Sequence, residues 1–154
     1  MSFMYTLHPM LLNISYNRPE IKRRIDEAVG KPFKLVQRFK MGGTGSPRMT
    51  ITKASVQINN LLALDGNTNT CSIELRPDGI ILMFRSLLET YALVIPYYKL
   101  NIWKGDADEY SIYKDNYFVK VKTGKNDLAV RKFLKKVKAL KNGNDASFER
   151  IDDM

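Results

Sequence analysis

Few side chains in this sequence have the type and spacing that covalent chemistry needs. The one histidine, His8, lies close to the N-terminus, whereas a general base must be positioned and oriented. The one cysteine, Cys71, begins a segment in which Cys71, Ile73 and Leu75 alternate with Ser72, Glu74 and Arg76. That phase puts the thiol on the buried face of a strand, and a reactive thiolate needs an exposed, electropositive setting. No His/Cys cluster exists to hold zinc. Asp106, Asp108 and Glu109 lack the full spacing of a calcium loop and read as solvated turn carboxylates. Met41-Gly42-Gly43-Thr44-Gly45-Ser46 is glycine-rich, but no Lys-Ser/Thr follows, so it reads as a loop and not as a phosphate cradle. No catalytic residue, cofactor or metal is expected, and the protein is not expected to be an enzyme.

The basic residues offer a different chemistry. The chain has 154 residues and a formal net charge of +9. Residues 1–48 contribute +6, residues 49–124 contribute 0, residues 125–141 contribute +6 and residues 142–154 contribute −3. The excess positive charge therefore sits in two segments that flank a neutral middle. Arg131, Lys132, Lys135, Lys136 and Lys138 share one face of a predicted helix, and Lys40 and Arg48 bracket the glycine loop. These seven are the candidate residues for an anionic ligand: a phosphate-bearing surface, nucleic acid or an acidic protein. The alternative is a solvated outer face. Nucleic acid would want aromatic rings interleaved with the cations for stacking. Here the aromatics Tyr97, Tyr98, Trp103, Tyr110, Tyr113 and Tyr117 fall in the neutral middle, and Trp103 reads as a core anchor.

The elements that must position these residues follow from periodicity and punctuation. Asn17 with Glu20 three residues later, and Pro19 in the first turn, predicts a helix over 17–29 with Ile21, Ile25, Ala28 and Val29 on one arc. Tyr16 and Ile21 fit a hydrophobic staple. Gly30 and Pro32 stop that helix. Phe33 to Met41 alternates weakly, as a strand would, and Met49 to Ile58 is strand-like. Asp65-Gly66-Asn67 signals a turn. Strands follow at 71–76, 80–84, 90–95, 97–104, 110–114 and 117–123, with turns at Pro77-Asp78-Gly79, 105–109 and Asp115-Asn116. Arg85 to Glu89 reads as a connector. The last helix spans 127–141, capped by Asn126 or Asp127, with Ala129, Val130, Phe133, Leu134, Val137 and Leu140 on its apolar arc. Asn142-Gly143 ends it, and 144–154 reads as a flexible acidic tail. The expectation is one domain over residues 1–143.

A meander closed by one amphipathic helix resembles the pleckstrin-homology-like superfold, and within it the bacterial PH-like and GRAM-type domains. Asp78-Gly79-Ile80-Ile81-Leu82-Met83-Phe84 is similar to their strand ending, Val94-Ile95-Pro96-Tyr97-Tyr98-Lys99-Leu100 to their IP-x-x-x-I strand pair, and Leu128 to Leu140 to their final helix. The resemblance covers residues 50–142 and implies an α+β fold: a bent antiparallel sheet or barrel capped by a C-terminal helix, with an additional N-terminal helix at 17–29. The phosphoinositide pattern of that superfold is incomplete here, because Lys40 and Arg48 lack the closing arginine. The fold is carried over and the lipid site is not.

The expected function is a non-catalytic binding or scaffold module for a protein or peptide. Such a fold offers a sheet edge and a groove beside the terminal helix, and an extended segment would add to the edge. The alternative is anionic-surface binding, to membrane phospholipid headgroups or nucleic acid, through the basic helix faces. The N-terminus lacks a basic stretch and a cleavage site, so no signal peptide is expected, and no apolar run approaches the ~18 residues of a membrane span. One cysteine fits a reducing, cytoplasmic setting. A homo-oligomer is left open.

Overall fold

The computed structural model describes residues 10–64 and 69–152, with side chains described as far as Gly143. Eight strands form one antiparallel sheet: β1 (Leu11–Asn13), β2 (Met49–Ala54), β3 (Thr70–Arg76), β4 (Gly79–Ser86), β5 (Glu89–Pro96), β6 (Leu100–Lys104), β7 (Glu109–Lys114) and β8 (Tyr117–Lys122). Their order is β1-β5-β4-β3-β2-β8-β7-β6. Among the described residues four α-helices accompany them: α1 (Pro19–Val29), α2 (Leu35–Met41), α3 (Val56–Ala63) and α4 (Asp127–Asp152). The architecture is α+β as expected, but the sheet is not closed, because β1 and β6 do not pair with each other.

β2 is the joint of the sheet. Its first two residues pair with Cys71 and Thr70 of β3, and from Thr50 to Ala54 it pairs with β8. The register slips between Ile51 and Lys53, the kind of irregularity that bends a strand and increases its twist. The principal core lies on the inner face. Cys71, Ile73 and Leu75 of β3 meet Ile80, Leu82 and Phe84 of β4, Leu93 and Ile95 of β5, and Val119 and Val121 of β8. Ile58 and Leu62 of α3 and Val130, Phe133 and Val137 of α4 complete this cluster.

The N-terminal helix covers the other face. Ile21, Ile25 and Val29 of α1 pack on Ile81, Ala92 and Val94, joined by Leu12 of β1. β4 and β5 are thus buried on both sides, which is why Ile80 to Phe84 and Ala92 to Ile95 read as continuous apolar runs and not as alternation. Arg76 ties α1 to the sheet. Its guanidinium pairs with Asp26 at 3.0 Å and Glu74 at 2.8 Å and donates to the Gly30 carbonyl at 2.8 Å.

Several local expectations are corrected. Phe33 to Met41 is not a strand: residues 35–41 form α2, ended by Gly42 in the left-handed region (φ 74°). The alternation misled because Phe33 and Met41 pack inward while Leu35 and Phe39 do not. Lys34 N–H donates to the Gln37 side chain at 3.0 Å, closing the first turn. Met49 to Ile58 is strand only to Ala54; Ile58 and Leu62, four apart on one buried face, make the remainder helical. Asn17 does not cap α1. Arg18 occupies that position because Pro19 opens the helix, and Tyr16 points away to donate to Glu89 at 3.0 Å. The connector between β4 and β5 is a tight Leu87-Leu88 turn with Leu87 at φ 57°. The last helix does not end at Asn142-Gly143; its backbone continues to Asp152. Gly143 stays out of the left-handed conformation of a terminating glycine, and a mid-helix glycine costs only about 1 kcal/mol. Residues 144–152, expected as a flexible tail, are therefore helical backbone. The Asp65-Gly66-Asn67 turn and His8 lie outside the described residues.

Candidate binding surfaces

Cys71, Asp108, Glu109 and the glycine loop, each weighed above for chemistry, make structural contacts. Cys71 is buried, and burial pushes its thiol up to about 12, far from a thiolate at neutral pH. Asp108 accepts the Gly124 N–H at 2.8 Å, fixing the turn ahead of α4. Glu109 faces Lys122 at 4.0 Å. The glycine loop is an extension of the sheet: Ile73 N–H donates to Ser46 Oγ at 2.8 Å, and Leu75 N–H donates to the Thr44 carbonyl at 2.7 Å. Among the described residues no group of three His, Cys, Asp or Glu side chains could hold a metal ion.

The basic face of α4 is split by the fold. Arg131 is spent on Asp127, one turn earlier, at 2.8 Å. Lys132, Lys135 and Lys138 are exposed. Lys136 reaches across to α2 and donates to the Gly42 carbonyl at 3.4 Å. Lys40, in the last turn of α2, therefore belongs to the same region as Lys136. Arg48 does not: its carbonyl accepts from Asn126 at 3.2 Å, at the start of α4. Of the seven candidates, the fold joins Lys40 to the Lys136 flank and leaves Arg48 elsewhere. Lys141 turns inward and donates to the Tyr97 carbonyl at 2.8 Å, pinning α4 beside the start of β6.

Two features escaped the sequence reading. The first is α2 itself. Leu35 (84% exposed), Val36 (66%) and Phe39 (89%) stand on one side of a helix that buries none of its own residues. Reading this segment as a strand hid their common face. The second is β6, which among the described residues is an open edge with β7 on one side only. Trp103 is no core anchor: it is 65% exposed there, and Tyr98, just before the strand, is 77% exposed. Trp103 lies out of phase with buried Leu100 and half-buried Ile102, an alternation that could have placed it outside.

Lys114 is the buried exception among the lysines. It pairs with Leu100 across β6 and β7, on the inward face, and its ammonium sits 5.7 Å from the Tyr117 ring centre. Burial, with Lys99 nearby, brings its pKa down to about 8. The unfolded lysine keeps its proton to about pH 10.4. Between these values the unfolded state binds more protons, so stability rises with pH from about 8 to 10. Lys114→Met is expected to gain about 2 kcal/mol at pH 7 and to lose that slope. Urea unfolding of both proteins at pH 7 and pH 9.5 checks it; parallel pH dependence in the two would contradict the assignment. No helix among the described residues is long and apolar enough to cross a membrane. No protein-family profile, curated protein or solved structure matches this chain.

Proposed function

We propose that this chain is a non-catalytic binding module on a PH-like frame, working in the cytoplasm, and that it takes an extended segment of a protein partner along β6. The frame reading is supported by a meander whose first strand, β2, hydrogen-bonds its last, β8, with an amphipathic helix packed into the open interior. The observation that carries the binding reading is the free β6 edge flanked by exposed Tyr98 and Trp103. An edge strand presents unpaired N–H and C=O groups that a second chain can complete, and exposed aromatics beside it supply side-chain pockets. α4 borders the start of this edge through the Lys141–Tyr97 contact.

Selection from a random peptide library tests this reading. Enriched peptides should slow amide exchange across residues 100–104. Trp103→Ala should weaken them by about 2 kcal/mol, the scale of an aromatic hot spot. Affinity should change little between low and high salt, since main-chain pairing is not a counterion effect. Protection that falls elsewhere, or no enriched sequence, would count against the β6 edge.

A further inference from the structure

We infer that the exposed face of α2, together with the adjoining flank of α4, docks on an anionic lipid bilayer and inserts Leu35, Val36 and Phe39 below the headgroups. Large apolar side chains at 66–89% exposure, clustered on one helix face, mark an interaction surface. What surrounds them selects the partner. From Ala28 to Leu64 the sequence holds Lys31, Lys34, Arg38, Lys40, Arg48 and Lys53 and no carboxylate. From Leu128 to Gly143 it holds Arg131, Lys132, Lys135, Lys136, Lys138 and Lys141 and again no carboxylate. The Lys136–Gly42 contact brings the end of α2, with Lys40, beside the Lys132 and Lys136 flank of α4. Arg48 lies elsewhere, Arg131 is held by Asp127 and Lys141 by the Tyr97 carbonyl. Carboxylates border this region on one side: Asp78 beside Gly30, Glu74 opposite Gly45, and Asp26 and Glu27 beside Lys31, with Arg76 holding Asp26 and Glu74.

An apolar tip ringed by lysines is the pattern of an interfacial amphipathic helix. The rings and methyls enter the acyl boundary, and the ammonium groups stay at the phosphates on their flexible stems. Three side chains on a seven-residue helix fall well short of the ~800 Å² per partner of a stable protein interface. A bilayer has no such minimum, because attraction to anionic lipid adds about fivefold in partitioning for each cation near the surface. The ligand is a charged surface, with no pocket for a particular headgroup. The site shares no residue with the β6 edge, so each can fail alone.

The test is co-sedimentation of the full chain with phosphatidylcholine vesicles, with and without phosphatidylserine, at about 0.1 M salt. Wild type should bind the anionic vesicles and hardly the neutral ones. Leu35→Ser/Phe39→Ser, both exposed and hence neutral to folding, should lose at least tenfold in partitioning. Lys132→Gln/Lys136→Gln should lose about 25-fold, less as salt is raised. Phe39→Trp in a Trp103→Phe background should be quenched by bromine-labelled acyl chains. Equal binding by the serine variant, or no quenching at position 39, would overturn the insertion. So would equal retention of wild type and serine variant on single-stranded RNA and on vesicles, which would make the face a general phosphate binder. A wild-type dimer abolished in the serine variant would overturn it by showing that a second copy covers the face.

Discussion

Phe133→Ala is expected to lower the unfolding free energy by about 3–5 kcal/mol, the cost of emptying a fully buried ring site. Phe133 lies on the inward arc of α4 with Val130 and Val137, all three buried against the sheet interior. The strands around it cannot collapse into the space, because their registers are fixed by pairing from β3 through β5 and from β6 through β8. The cavity term therefore adds to the lost transfer term in place of relaxing away. Urea denaturation gives the answer through the midpoint at unchanged slope. Lys135→Ala on the opposite face of the same helix is the control and should stay within about 0.5 kcal/mol. A Phe133→Ala shift no larger than the control would remove α4 from the core.

How much of this was readable beforehand follows from burial geometry. β3 was legible because one face is buried, so Cys71, Ile73 and Leu75 alternate with the outer residues. β7 and β8 were legible from β-formers on both sides of Asp115-Asn116, where Asp115 does adopt positive φ. β4 and β5 were legible as strands at 80–84 and 90–95, but nothing in their continuous apolar sequence says that α1 covers the second face. α2 was missed because its apolar residues sit at both inward and outward positions, producing a false period of two. Its helicity comes from closure of its two ends at Lys34 and Gly42, not from a buried stripe. Trp103 was misplaced by residue type; its phase against Leu100 and Ile102 was the better guide.

Charge was legible in amount and not in arrangement. The sequence shows that the cations of α4 share a wheel, but only the fold shows Arg131 held by Asp127, Lys141 turned to Tyr97 and Lys136 meeting α2. Nor does composition distinguish Lys114 from its neighbours. Its inward position depends on the register of β6 and β7, a long-range property. The surfaces proposed for function are accordingly those that sequence order alone scatters: an edge strand, and a face assembled from residues 94 positions apart.

The crowding around Gly79 predicts the other large effect. A Cβ on Gly79 would stand 2.4 Å from the Ile95 carbonyl oxygen, 2.5 Å from Val29 Cγ1 and 2.9 Å from Pro96 Cα. Two of these atoms are backbone, held in the β4–β5 ladder where Gly79 pairs with Pro96, so no rotamer change relieves the overlap. Gly79 is required here for its missing Cβ and not for an unusual φ. Gly79→Ala is expected to cost about 3 kcal/mol or more, at the upper end of overpacking. Because Val29 is one of the displaced groups and its carbonyl receives the Asp78 N–H at 2.8 Å, the strain should loosen the end of α1 as well. Amide exchange in residues 25–30 should speed up ahead of the rest of the sheet. Gly45→Ala supplies the contrast: its Cβ would meet nothing within 4 Å and its φ is not left-handed. That change should be neutral or gain up to about 1 kcal/mol through the unfolded chain. Equal stability of the two alanine variants would mean that α1 does not press on the β3–β4 turn, and the two-faced burial of β4 and β5 would fall with it.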